Sequence, residues 1–197
     1  MVIRDWSSDV CSSDLRCGHR TLIFLHKGAI MKESRAEKNN AICIYEKLKQ
    51  LAVELPPHTS PNGSYTMTSE FGGRCFYTAG TGCALNGKPF AVGRLGKEVS
   101  VKQGKLAARQ CVLNVLANLH ACLGDLNRIN RVIKTTVFVA SAEGFGDQSS
   151  VAEGASELLL ALFGPAGHGV RTAIGTSALP KNQAVEIEML FELKEPL

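Results

Sequence analysis

The sequence predicts an α/β (α+β) domain built on a single mixed β-sheet with two helices packed on one face. Three observations predict it. A glycine turn joins two short strand-like runs just after Tyr65. Two apolar-faced helical stretches then alternate with β-branched stretches, and the chain closes on two further strands. The order β-β-(β)-α-β-α-β-β leaves the second sheet face uncovered, which is costly in a monomer and predicts an oligomer that packs sheets together.

The chain begins with a segment unlike the rest. Residues 1–30 develop no helical or strand period, and Ser7-Ser8-Asp9 returns as Ser12-Ser13-Asp14 around Val10-Cys11. The run RDWSSDVCSSDL resembles a translated sequencing adapter, and Met31 offers a natural start immediately before a well-patterned sequence. Residues 1–30 are therefore expected to be a non-native or disordered extension outside the core. From Glu33 to Leu55, the residues Ile44, Leu48, Leu51 and Leu55 recur at three- and four-residue steps among Lys and Glu, the mark of an amphipathic helix. Pro56-Pro57 ends it, and Pro61-Asn62-Gly63 reads as a linker, so that residues 31–64 form an N-terminal helix and linker ahead of a domain at 65–197.

Within that domain, Tyr65 to Glu70 and Arg74 to Thr78 flank Gly72-Gly73 and read as a hairpin whose glycines permit positive φ. Gly80-Thr81-Gly82 allows a close backbone approach, by a neighbouring strand or by a ligand. A long helix spans Val101 to Leu123, opened by a Ser100/Gln103 capping box and closed by Gly124. Its apolar face holds Leu106, Leu113, Leu116 and Leu123 with Ala107, Cys111, Val112, Val115 and Leu119, so Cys111 and Cys122 read as small core hydrophobes. Val132 to Ala140 is β-branched and aromatic, fit for a strand buried on much of both faces. A second helix runs from about Val151 to Phe163, with Ser150 and Glu153 at capping-box spacing and Gly164-Pro165 as its stop. Arg171 to Ser177 and Ala184 to Leu193 close the sheet; in the last, Val185, Ile187, Met189 and Phe191 alternate with Glu186, Glu188, Leu190 and Glu192.

Composition narrows the function classes. The chain has 197 residues, 45% hydrophobic and 20% charged, which suits one good core. Its net charge of +4 comes from 22 basic and 18 acidic residues, and the basic ones are scattered, which argues against nucleic acid. Seven cysteines, an odd number with no C-x-x-C, point to reduced thiols in a cytoplasmic setting. The five histidines, His19, His26, His58, His120 and His168, show no metal-ligand spacing. No metal or organic cofactor is expected. No apolar run approaches the roughly 18 residues of a membrane span, and nothing reads as an export signal.

The closing sequence, Val170-Arg171-Thr172-Ala173-Ile174 through Leu179-Pro180-Lys181 to Val185-Glu186-Ile187-Glu188, resembles the signature of the RidA/YjgF family. Ile133 to Ala140 and the helix from Val101 fall where that family has them, and the resemblance runs from about Tyr65 to Leu193. The stretches Gly124 to Ile129 and Gly154 to Leu159 further resemble a branch with an added N-terminal helix. The resemblance implies a chorismate-mutase-like fold assembled as a homotrimer, with ligand sites between subunits and the enamine/imine deaminase chemistry of founding members.

Residue by residue, it implies that Arg171 binds the substrate carboxylate. A planar guanidinium offers two parallel charge-assisted bonds that lysine cannot reproduce. Without the resemblance, Arg171 would read as a surface strand residue. Glu186, fifteen residues on, matches an acidic residue that positions water; pairing of the two closing strands would bring it near Arg171. Partial burial would raise its pKa toward proton transfer. The competing reading is an exposed residue of an edge strand. Tyr65 falls near a substrate-orienting tyrosine, with a core or interface tyrosine as the alternative. Backbone around Gly80 and Ala173 would shape the pocket. Three positions depart from the family pattern: Ala79 where serine is common, Ala173 where cysteine is common, and Glu153 where asparagine is usual. Glu153 has a structural reason in the capping box, and its charge would weaken anion binding if it points into the pocket.

The expected function is hydrolysis of a small 2-imino or enamino acid to a 2-oxo acid and ammonia. The alternative is a trimeric module that binds a small carboxylate without turnover. RNA cleavage, an old family label, has little support in scattered basic residues and few aromatics.

Overall fold

The long helix α2 spans Val101–Leu123 and has the predicted ends. The structure, a computed structural model, describes residues 43–197; the expectations for residues 1–30 and for the start of the first helix lie outside them. Ser100 Oγ accepts from Gln103 N while the Gln103 side chain accepts from Ser100 N, and Gly124 closes the helix with a left-handed φ of 75°. Most of α2 from Ala107 to Leu119 is buried, because it lies between the sheet and other helical elements. Leu106 departs from the predicted face and is 47% exposed. Cys111 is fully buried as expected, but Cys122 is exposed in the last turn, where only Leu123 still reaches the core.

Ahead of α2 stands a short helix, α1, at Ile44–Gln50, whose Ile44 and Leu48 sit in the main core. It ends earlier than its apolar period suggested. Ala52 takes a positive φ of 51°, and the chain to Leu55 is not helical. The other main helix, α3, occupies Gln148–Phe163 and buries Val151, Ala155, Leu158 and Leu162 at helical steps. It begins three residues before the predicted start. Ser150 therefore lies inside the first turn, and the capping box with Glu153 does not form.

The strands are β1 (Thr68–Phe71), β2 (Cys75–Thr78), β3 (Thr81–Gly82), β4 (Ala84–Leu85), β5 (Lys88–Pro89), β6 (Ile129–Ala140), β7 (Val170–Thr176) and β8 (Val185–Leu193). The main sheet has the order β1-β2-β8-β6-β7, and β3 pairs with β8 beyond the end of β2. The β1–β2 hairpin turns through Gly72-Gly73 with φ of 63° and 77°. β6 is interior but not central, antiparallel to β8, which holds the middle of the sheet, and parallel to the edge strand β7. The small β4–β5 hairpin turns at Asn86-Gly87, a strong hairpin dipeptide that the element order above leaves out.

One expectation fails here. The two closing strands are not neighbours, because β6 lies between β7 and β8. β8 takes the interior place, where Val185, Ile187, Met189, Phe191 and Leu193 are all buried against the helices. β7 is left at the edge. Both long helices cover the same face of the sheet, as the sequence predicted. The opposite face carries exposed Phe71, Tyr77, Val170 and Ile174.

Candidate active site

Strand register decides where each candidate side chain points. Arg171 pairs with Thr135 of β6, and Thr135 pairs with Met189 of β8. Residues directly opposed across strands share a face, and Met189 is buried beneath the helices. Arg171 therefore projects to the helix face. Ala173 opposes Val137 and shares that face, two residues along.

There α3 meets the guanidinium. Ser149, Glu153 and Ser156 recur at steps of four and three, which align on one side of a helix. Arg171 Nη1 donates to Glu153 Oε1 at 2.6 Å and to Ser156 Oγ at 2.9 Å, while Nη2 donates to Ser149 Oγ at 3.0 Å. The side chains of Arg171 and Glu153 are 23% and 44% exposed, so the pair is half open to solvent. It lies on a cavity of about 140 Å³, lined also by Thr135, Leu159, Leu160, Gly167 and His168. Nε of the guanidinium makes no hydrogen bond among the described residues. Glu153 thus points into the pocket, and its role is the arginine rather than the helix end. Ser149 and Ser156 escaped the sequence reading, although a polar stripe along an otherwise apolar helix was the available signal.

Glu186 lies elsewhere. It alternates with buried Val185 and Ile187 and so projects to the open face. Its strand is flanked on both sides, so the edge-strand reading is also wrong. Glu186 opposes Phe138, three residues beyond Thr135 and one strand away from β7. Two inter-strand spacings and three residues of rise separate its backbone from that of Arg171 by roughly 14 Å. Within one chain the two do not meet.

Glu186 does meet Gly80. β3 sets Gly82 opposite Glu186, and a Cβ at Gly80 would collide with Glu186 Oε1. The glycine is needed because the carboxylate crosses that backbone. The close approach therefore comes from a neighbouring strand, one of the two readings left open above. Asn114 of α2 holds this segment, donating from Nδ2 to the Gly82 and Ala84 carbonyls, each at 2.8 Å. Burial holds the Glu186 carboxyl above the ordinary glutamate range, and the like charge of Glu188 adds to the shift. Tyr65 is 48% exposed and precedes β1; its hydroxyl accepts from Asn62 N at 3.3 Å. It stands two residues before Met67, whose carbonyl accepts from Ala79 N, and so lies at the Gly80 end of the hairpin.

The five candidates thus fall into two groups, Arg171 and Ala173 on the helix face, Gly80 and Glu186 on the open face with Tyr65 at its margin. A larger concavity of about 800 Å³, lined by Tyr45, Leu48, Lys49 and Val53 beside α1, lacks convergent polar groups of this kind. Among the described residues no group of three or more His, Cys, Asp or Glu side chains is placed to hold a metal ion, and no helix is long and apolar enough to cross a membrane.

A mixed sheet with one helix-covered and one bare face, and an arginine-lined cavity at its edge strand, defines the class: a one-sheet α/β protein. The model of the family described as "YjgF/chorismate_mutase-like, putative endoribonuclease" matches residues 46–193, and the chain belongs to that family. It is similar to "Protein TCP17" of Trypanosoma cruzi, with 38% identity over 147 residues that cover 74% of this chain and 91% of the relative. Among solved structures it is similar to the protein Atu1372, of unknown function, from Agrobacterium tumefaciens, at 36% identity and TM-score 0.72, covering 77% and 92% of the two chains. A "putative endoribonuclease" from Shewanella oneidensis MR-1 is similar at 28% identity and TM-score 0.74, covering 77% and 99%.

Proposed function

We propose that the protein hydrolyses a small reactive 2-imino or enamino acid to the 2-oxo acid and ammonia, in sites shared between subunits of a homotrimer. The observation that carries this reading is the division of the candidate residues between two faces of one sheet, one of them bare. Neither half suffices alone. Packing a bare face against the edge of the next subunit would let Glu186 and Gly80 of one copy face Arg171 and Ala173 of another.

In such a site Arg171 anchors the carboxylate, and Glu186 aligns water on the C=N carbon. Water oxygen bonds to that carbon, both water protons pass to the nitrogen, and the C–N bond breaks to release ammonia and leave the C=O of the 2-oxo acid. An imine hydrolyses unaided, so orientation and one proton transfer suffice, the latter worth about 10²- to 10⁴-fold. A carboxyl held above its usual range suits that transfer at neutral pH.

The second reading is a trimeric module that binds a small carboxylate without turnover. It is favoured by the Arg171–Glu153 bond, which offsets the charge available to an anion, and by Ala173 where deaminating members often carry cysteine. RNA cleavage fits poorly, because Glu153 on the arginine and Glu186 and Glu188 on the open face set carboxylates where a phosphate backbone needs cations.

The test is trapping of 2-iminopropanoate, generated in situ by an amino-acid oxidase with semicarbazide present, with Arg171→Ala as the control. Suppression of the semicarbazone by wild type and not by the variant supports deamination; no suppression by either leaves the binding module. Light scattering on the same protein tests the trimer.

A further inference from the structure

We propose that Glu153 makes the Arg171 pocket a zwitterion site, selecting ligands that carry a positively charged nitrogen on the carbon next to their carboxylate. This rests on the reading of that pocket as the ligand site and adds the chemistry it demands of the ligand.

Charge carries the argument. A guanidinium alone would attract any small carboxylate, but Arg171 Nη1 already donates to Glu153 Oε1 at 2.6 Å. Glu157, which also lines the cavity, is paired with Lys105 at 3.5 Å. The groups of one subunit are therefore close to neutral before a ligand arrives, and an ionised Glu186 from a neighbouring copy would add a negative charge that opposes a plain anion further. A plain carboxylate would leave one negative charge in excess. An amino acid, or a 2-iminium acid, would bring its own compensating charge and leave the site balanced.

The donors and acceptors still available match that pattern. Three bonds to Glu153, Ser156 and Ser149 leave the Nε–H of Arg171 and one further N–H without partners among the described residues. Ser149 and Ser156 each accept from the guanidinium, so their own O–H groups are free to donate to a ligand carboxylate. Glu153 Oε2 makes no hydrogen bond among the described residues, and it is an acceptor suited to a charged N–H. Donors for a carboxylate and an acceptor for a cationic nitrogen thus stand side by side on one guanidinium–carboxylate pair. The cavity of about 140 Å³ has room for a molecule of alanine's size.

For an imine substrate the same carboxylate has a chemical consequence. Water adds to the protonated imine, and Glu153 beside that nitrogen favours the protonated form. The balance is R–C(=NH2⁺)–COO⁻ plus water giving R–CO–COO⁻ plus NH4⁺: one C–O bond is formed, the C–N bond is broken, and both water protons end on nitrogen.

The experiment is calorimetric titration of the full-length protein, of Glu153→Gln and of Arg171→Ala with L-alanine and with propanoate, which differ only in the amine. Wild type should bind L-alanine about tenfold or more tightly over propanoate, the worth of one charge-assisted hydrogen bond. Glu153→Gln should lose that preference and bind propanoate more tightly than wild type, while Arg171→Ala binds neither. Equal affinities in wild type, or a preference unchanged in Glu153→Gln, or no binding of either ligand by wild type, overturns the proposal. The wild-type ratio alone decides this if Glu153→Gln folds poorly. Iminopropanoate turnover without the alanine preference sinks the zwitterion site and leaves deamination standing; the preference without turnover does the reverse.

Discussion

Arg171 and Glu186 project to opposite faces of one sheet, from strands that both pair with β6. Any reaction that uses both groups must therefore use two copies of the chain. Mixing Arg171→Ala with Glu186→Gln subunits after partial unfolding and reassembly should restore activity that neither variant shows alone. With random exchange at equal amounts, about one site in four joins an intact Arg171 to an intact Glu186, so recovery should reach about a quarter of wild type. Imine trapping on the mixture measures it, and no recovery in mixed oligomers would place both groups in separate roles.

Gly80→Ala tests the second half of the site. The added methyl would collide with Glu186 Oε1, the mobile end of a flexible side chain, rather than with backbone. The expected outcome is a nearly unchanged melting temperature with a catalytic efficiency lowered about tenfold or more, because the carboxylate must move. A large drop in melting temperature would instead mark Gly80 as structural.

The pH profile should report on Glu186. Acting as a base, it must be ionised, and its raised pKa places the acid limb of kcat/KM above the ordinary glutamate value of about 4.3. Burial is the larger cause and the charge of Glu188 the second. Glu188→Gln removes a like charge, lowers the pKa of Glu186 and moves the limb toward lower pH. Folding favours the protonated form of such a group. Stability from it is complete below the ordinary glutamate value and is lost as pH rises through the raised one. Paired kcat/KM profiles of wild type and Glu188→Gln decide the point, and superimposed limbs would count against Glu186.

Asn114→Ala should cost about 1–3 kcal/mol of folding stability, read from urea denaturation, since the Gly82 and Ala84 carbonyls lose their buried donor. The same variant should lower activity beyond what its stability explains, because Asn114 holds the strand that abuts Glu186. A change below about 0.5 kcal/mol would mean that water replaces the amide.

Much of the fold was legible because it follows local rules. The ends of α2 were readable from Ser100, Gln103 and Gly124, whose capping chemistry depends only on near neighbours. The buried and open faces of β8 were readable from alternation. Local pattern misled where two local rules coincide: Ser150 and Glu153 have capping-box spacing, yet the helix starts at Gln148 and Glu153 turns to Arg171. The period of Leu51 and Leu55 likewise suggested more helix than α1 contains, since apolar spacing does not reveal where a backbone turns.

By itself the sequence determined the order of the main elements, though not the β4–β5 hairpin, the helix-covered sheet with its bare face, the family, and the residue types that can carry chemistry. Each rests on periodicity, caps or a short contiguous signature, all of which act within a few residues. Only the tertiary structure decided that β6 separates β7 from β8, that Arg171 and Glu186 occupy opposite faces, and that Ser149, Glu153 and Ser156 close on the guanidinium. Strand order and register are set by which apolar faces bury best against α2 and α3, a competition among residues far apart in the chain.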